Sequence, residues 1–238
     1  LGIAYRSKAE YERSLTYFAK AMDINPRMAL AYYHRASSLT SMGQYDKAIA
    51  DYTKALEIDP SLNDARSDLG VNLMRLGMDE EARKHLEQAY NNGYQNPETV
   101  NSLRLLDSMK DYVTFKTPKT VLVLHKKEAE LLRPYFQAEF DRALATYEKK
   151  YKFKLTKPVR LEVFPNHEDF AVRTLGMPGL GALGVTFGYM PTGVQFTSMS
   201  QLPRAGGHGP MFADACSATA RARTCATASG ATSTSSTT

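Results

Sequence analysis

Apolar and polar positions follow a helical rhythm through the first hundred residues. Between Ala31 and Pro60 the run AYYHRASSLTSMGQYDKAIADYTKALEIDP reads as two amphipathic helices, joined by a tight turn at Met42-Gly43-Gln44. The same spacing recurs on both sides. Gly43 and Gly77 lie 34 apart (77 − 43), as do Ala21, Ala55 and Ala89 (55 − 21, 89 − 55). Pro26 and Pro60 keep that step, and so do Phe18, Tyr52 and Leu86. Small residues recur where paired helices would cross: Gly2, Ala36 and Gly70 at one point, Ser14, Ala48 and Ala82 at the other. Bulky ones (Tyr5, Leu39, Leu73; Phe18, Tyr52, Leu86) fill the space between.

A fixed step of about 34 residues with helix–turn–helix chemistry resembles a tetratricopeptide repeat (TPR) array. Three repeats are expected over residues 1–94, the first incomplete. Leu1 stands in the register of Leu69 in the third repeat, so the chain is expected to be a fragment of a longer protein. Pro26 and Pro60 stop the second helices of their repeats, since proline has no N–H to donate and clashes with the preceding turn. The third repeat has Tyr94 at that place, and Asn91-Asn92-Gly93 supplies a glycine stop instead. Arg35 stands where Leu1 and Leu69 do, and its head is expected to snorkel to solvent. Residues 95–115 are read as a helix opened by Pro97, covering the array's apolar end, and a linker.

The pattern changes after Pro118. TVLVLH at Thr120–His125 and VRLEVF at Val159–Phe164 alternate and are rich in branched side chains, so they read as strands. Between them, Leu132, Phe136, Phe140, Ala143, Tyr147 and Tyr151 recur at helical steps, with Pro134 predicting a kink or a break. A short helix follows from His167 to Thr174, then a Gly-rich loop, then a third strand over Val185–Met190. The fold class is therefore α followed by α+β, a helical solenoid and a partial strand–helix–strand–helix–strand domain over 116–190. Residues 191–238 hold a tail of Ala, Ser, Thr, Gly and Arg that is read as disordered, because it has too little apolar surface to offset its ordering entropy.

Charge narrows the function classes. The net charge is +5, yet residues 1–115 carry 14 basic and 16 acidic side chains while residues 116–160 carry 12 and 5. A basic excess in one segment can be a nucleic-acid or membrane-surface patch, or a solvated helix face with a Lys-rich end at Glu148-Lys149-Lys150. No RNA-binding aromatic motif accompanies it, so nucleic acid is not the expected partner. No apolar run reaches the length of a membrane span. The two cysteines, Cys216 and Cys225, imply neither a disulfide framework nor a cysteine zinc site.

The run VRLEVFPNHEDFAVRTLGMPGLGALGVTFGYM, residues 159–190, is similar to the opening half of peptidase MA-like (gluzincin) domains, which occur in bacterial proteins behind TPR repeats. That resemblance implies, for a complete member, a zinc site on an H-E-x-x-H helix whose glutamate activates water. This chain lacks the motif. His34, His85, His125, His167 and His208 are its histidines, and Ala171 stands where a partner for His167 would be. No glutamate follows Glu168. No catalytic residue, metal ligand or cofactor is therefore expected here, zinc belonging only to a complete relative. Because the tail stands where the zinc helix would begin, it is read either as the product of a frame shift between Pro191 and Gly206 or as a native low-complexity terminus. Gly179, Gly181 and Gly184 match a dinucleotide fingerprint in letters, but they precede a strand rather than opening a helix. His125, ending a strand, is read as a surface or hydrogen-bonded residue.

The function expected is that of a protein-interaction scaffold, with a peptide or partner protein held in the concave groove lined by the first helix of each repeat. The positions that match the groove of other TPR proteins are Arg6; Tyr33, Ser37, Thr40 and Ser41; and Ser67, Val71, Met74 and Arg75. TPR proteins that clamp a terminal carboxylate place Lys and Asn where Tyr33, Ser37, Ser67 and Val71 stand, so a mostly neutral groove for an extended or helical peptide is expected. The alternative is a fragment of a TPR-fused zinc metallopeptidase without its catalytic half.

Overall fold

The computed structural model describes residues 1–152, 154–155, 158–179, 184–187 and 196–200. Its first half is a ladder of helix pairs: α1 (Gly2–Ser7) with α2 (Tyr11–Ile24), α3 (Ala29–Ser41) with α4 (Tyr45–Ile58), and α5 (Asn63–Arg75) with α6 (Asp79–Asn91). The crossings need their small residues. A Cβ on Gly2 would stand 2.7 Å from the Phe18 ring, and one on Gly70 2.6 Å from Leu86 Cγ. Each pair turns by the same device, a reach-back bond over a left-handed residue: Glu10 N to Tyr5 O, Gln44 N to Leu39 O and Met78 N to Leu73 O. Gly43 (φ 71°) and Gly77 (φ 73°) occupy two of those left-handed positions, and Ala9 (φ 59°) the first. The α6 helix stops in the same way, with Gly93 at φ 89° and Tyr94 N bonding Ala89 O. Arg35 is not left to snorkel. It forms a bidentate pair with Asp51, at 2.5 and 2.6 Å, because Asp51 sits on the facing helix at carboxylate distance.

The capping helix α7 (Pro97–Ser108) has Asn96 at its N-terminus, accepting from Thr99 N at 2.9 Å, and proline at its first position. The segment expected to be a linker is structured instead. After a short 3-10 turn, Tyr112–Lys116 forms strand β1. It pairs antiparallel with β2 (Thr120–His125), Phe115 opposite Leu122 and Tyr112 opposite His125. The two-sided chemistry of YVTFK, alternating only weakly beside Pro118, hides a strand that gains its bonds from a neighbour.

Helix α8 (Ala129–Tyr151) is continuous through Pro134. The proline lies in the second turn on an exposed face, so the one carbonyl it leaves unbonded meets water rather than the core. Strand β3 (Val159–Phe164) runs parallel to β2, helix α9 (His167–Leu175) comes next, and β4 (Gly184–Phe187) and β5 (Phe196–Ser200) complete a mixed sheet in the order β1-β2-β3-β5-β4. β4 begins one residue before the predicted strand, and 188–190 lie outside the described residues. β5 falls inside the segment read as tail, and the other residues of that segment lie outside the described ones.

Alternation along β3 sets the layers. Val159, Leu161 and Val163 pack with Leu122, Leu124, Phe140 and Leu144 under α8. Phe164 joins Phe170 and Val172 of α9 in a second core that is continuous with Leu73, Met74, Leu105 and Leu106 of the helical ladder. Repeats and sheet therefore share one interior.

Candidate groove and interdomain site

The first helices α1, α3 and α5, followed by α7, carry the nine predicted groove residues and their next-repeat equivalents. On α3 three of them converge on a residue of α4. Ser37 Oγ lies 3.3 Å and Thr40 Oγ1 3.5 Å from the Tyr52 hydroxyl, and the Tyr33 ring sits 6.0 Å from that of Tyr52. Thr40 Oγ1 also donates to Asn72 Oδ1 at 3.1 Å. Ser41 is exposed, and its hydroxyl donates back to Ser37 O. Arg6, at the end of α1, is half-buried.

The α5 positions behave differently. Ser67 is fully buried and shares a 2.6 Å hydrogen bond with Thr99, and Met74 lies in the core at 2 % exposure. Neither offers surface to a ligand; the α7 helix packs where an open face was expected. Val71 and Arg75 are taken up by α9. Arg75 Nε donates to Thr174 O at 3.3 Å and its guanidinium lies over the Tyr45 ring, 5.6 Å from the centroid. Gly176, which ends α9 at φ 81°, approaches so closely that a Cβ there would stand 3.3 Å from Glu98 Cγ and 3.9 Å from Val71 Cγ1. The last turn of α9 thus occupies the α5–α7 end of the groove.

The open part is not neutral. Tyr52 donates to Asp68 Oδ2 at 3.4 Å. Burial pushes the Asp68 carboxyl up to about 6, with Asp64 and Glu98 adding to the rise and Arg75 and the Tyr52 hydroxyl opposing it. The Tyr33 hydroxyl is pushed up by burial, then by Asp68 and Asp64. Tyr94 is raised by burial and then by Asp64, Asp68 and Glu98. Three carboxylates and two phenols therefore share one electrostatic neighbourhood. Their signal was in the repeat step: Leu30, Asp64 and Glu98 are successive equivalents at 34 residues, as are Asp68 and Ser102.

A second charged cluster ties the ladder to the sheet. Fully buried Arg173 on α9 holds Glu162 of β3 through Nε and Nη2, both at 2.8 Å, and Asp79 of α6 through Nη1 at 2.6 Å. Arg160 adds a bond to Glu162 Oε1 at 2.8 Å. Two cations and two anions satisfy one another, which suits a structural clamp better than a reactive site. Among the described residues no group of three or more His, Cys, Asp or Glu could hold a metal ion. His125 stands edge-on to the Tyr112 ring at 5.3 Å, and its Nδ1 accepts from Lys127 N.

Family models described as tetratricopeptide repeat match residues 1–28 and 29–62. Residues 1–62 are tetratricopeptide repeats. The α5–α6 pair continues the TPR geometry, turn for turn. Both matches end before the sheet, so the similarity of 116–190 to peptidase MA-like domains has no counterpart among them. Among solved structures the chain is similar to the first TPR of Spaghetti (RPAP3) bound to the HSP90 peptide SRMEEVD, at 26% identity over 44% of this chain and 84% of that one, with a TM-score of 0.43. It is also similar to the second TPR domain of human RPAP3 in complex with the HSP70 peptide SGPTIEEVD, at 24% identity over 44% and 88% and a TM-score of 0.43. The Arabidopsis OM64 TPR domain is similar at 23% identity over 44% and 87%, again with a TM-score of 0.43. No curated protein matches the chain. Among the described residues no helix is long and apolar enough to cross a membrane.

Proposed function

We propose that the chain is a protein-interaction scaffold whose TPR groove holds a peptide segment of a partner protein along α1, α3 and the first turns of α5. The observation that carries this reading is the occupied end of the groove. The last turn of α9 already accepts a hydrogen bond from Arg75 and comes close enough to Glu98 and Val71 that only a glycine fits at Gly176 without crowding, so the concave face accommodates polypeptide against it. Upstream of that plug, Arg6, Tyr33, Ser37, Thr40 and Ser41 remain at least partly accessible, and Leu30, at 53 % exposure, offers an apolar anchor beside them. Rigid aromatic and apolar anchors flanked by hydroxyls are the composition of peptide-binding surfaces.

On this reading the groove disfavours a carboxylate clamp. A terminal carboxylate laid along α5 would face Asp64 and Asp68, and repulsion in a partly desolvated site works against binding. The test is selection of a displayed random 12-residue peptide library on the full chain, followed by binding of the enriched peptides to Tyr33→Ala and Ser37→Arg variants. Enriched peptides should lose about tenfold or more in affinity for both variants. Peptides that bind the variants as well as the parent chain would place the interaction elsewhere and overturn the groove reading.

A further inference from the structure

We propose that the lysine-rich end of the sheet docks onto an anionic lipid surface, a contact separate from the peptide groove. The β1–β2 hairpin brings Lys116 and Lys119 to this end, and the last turn of α8 with the residues after it brings Lys149, Lys150, Lys152 and Lys154. Printed contacts join the two segments. Lys119 Nζ meets Glu148 Oε2 at 2.6 Å, 29 residues away in sequence, and Val159 N donates to Lys119 O at 2.8 Å. Glu148 is the single acidic side chain in 116–120 and 148–155, so the patch carries a charge of +5 (6 − 1). Its other oxygen accepts from Leu155 N at 3.4 Å. All six lysines are exposed. Among the described residues, all but Lys119 enter no ion pair. No groove residue belongs to this surface, since α9 follows the other end of β3.

The helix end explains part of this charge and leaves the rest. Lys149 and Lys150, in the last turn of α8, face the negative end of its dipole. Lys116 and Lys154 lie outside the helix, and Lys152 ends it in the left-handed region, at φ 51° and ψ 40°. Gly43, Gly77 and Gly93 take left-handed positions at the ends of the ladder's helices, because a Cβ there crowds the carbonyl. A lysine at such a place gives up stability and keeps a charge. The chemistry of the charge selects the partner. Lysines are compact charges on flexible stems, suited to a fluid array of anionic headgroups, whereas fixed phosphate geometry favours the guanidinium fork. No arginine stands in either segment. Tyr151, 38 % exposed and with Lys150 Nζ 5.4 Å from its ring centroid, adds an amphipathic ring of the kind that sits at headgroup depth.

The experiment is co-sedimentation of the full chain with vesicles of phosphatidylcholine alone, and of phosphatidylcholine and phosphatidylserine in equal parts. The mixed vesicles should bind the chain about tenfold or more tighter at low salt, and release it at about 1 M salt, where the screening length is about 3 Å. Lys116→Gln in the hairpin and Lys152→Gly at the helix end should each weaken that binding about fivefold. Lys152→Gly should also raise the melting temperature, which separates a lost contact from a lost fold. Lys47→Gln and Lys84→Gln, at exposed lysines of the ladder, remove the same charge and should change binding by less than about twofold. Equal binding to both kinds of vesicle, or patch variants that bind no worse than the ladder variants, would overturn the proposal. A preference, at the same salt, for a single-stranded oligonucleotide or a polyglutamate peptide over the mixed vesicles would overturn it too, and would assign the surface to nucleic acid or to an acidic protein.

Discussion

At Ala9 the first repeat turns through φ 59° where the next two use glycine at 71° and 73°. A side chain in the left-handed region costs on the order of 1 kcal/mol, because its Cβ crowds the following carbonyl. Ala9→Gly is therefore expected to raise stability by about 0.5–1 kcal/mol, read as a higher urea midpoint at unchanged m-value; a lower midpoint would refute it. Asp68 stores a cost of another kind. Its carboxyl is raised to about 6, so the folded state favours the protonated form. The ionised group therefore destabilises the fold above about pH 6, and that cost is relieved as pH falls through this value toward the ordinary carboxylate range. The groups that set it are Tyr52 on α4, Arg75 and Asp64 on α5, and Glu98 on α7. Asp68→Asn is accordingly expected to stabilise the protein by on the order of 1–3 kcal/mol at pH 8, and by little at pH 4, in thermal melts across that range. An effect that grows toward acid would contradict it.

Among the elements, α9 decides the most. It brings Phe170 and Val172 into the ladder's core, Thr174 and Gly176 onto the groove, and Arg173 into the cluster with Glu162 and Asp79. Arg173→Met removes one buried cation and leaves Glu162 and Asp79 with Arg160. The expected loss is about 3–5 kcal/mol, measured by urea unfolding, and a neutral result would show that the cluster does not hold α9 in place. The helical elements were legible because each rests on a repeated local device: a small residue at each crossing, a left-handed turn residue, a proline or glycine stop. β1 and β5 were not legible. Tyr112–Lys116 comes after a helix without a break, and Phe196–Ser200 sits among small polar residues, so both depend on partners far away in sequence. Pro134 did not break α8, since whether a proline breaks a helix depends on what its freed carbonyl meets. The groove was half legible. Its hydroxyls and Tyr33 lay at known positions, but Asp64, Asp68 and Glu98 gain their meaning only when neighbouring first helices are laid side by side. The loss of Ser67 and Met74 to the interior required knowing that α7 closes over α5.

Over the whole molecule, one interior runs from Ala36 and Leu39 of the second repeat through Leu105 and Leu106 of α7 to Phe164 and Val172 of the sheet side. The TPR ladder is thereby closed at one end by the protein's own α9 and open at the other, so on the proposed reading a bound peptide would lie along α1 and α3 and abut α9. The basic segment stays apart from this surface. Lys119 pairs with Glu148, Lys126 with Asp111 and Arg142 with Glu139, along the sheet edge and α8. The most direct test of the account is amide hydrogen exchange of the full chain with and without a library-selected peptide. Added protection is expected in Gly2–Ser7, Ala29–Ser41 and the opening turns of Asn63–Arg75, with α8 and β1 unchanged. Protection confined to α8 or to the β1 edge would contradict it.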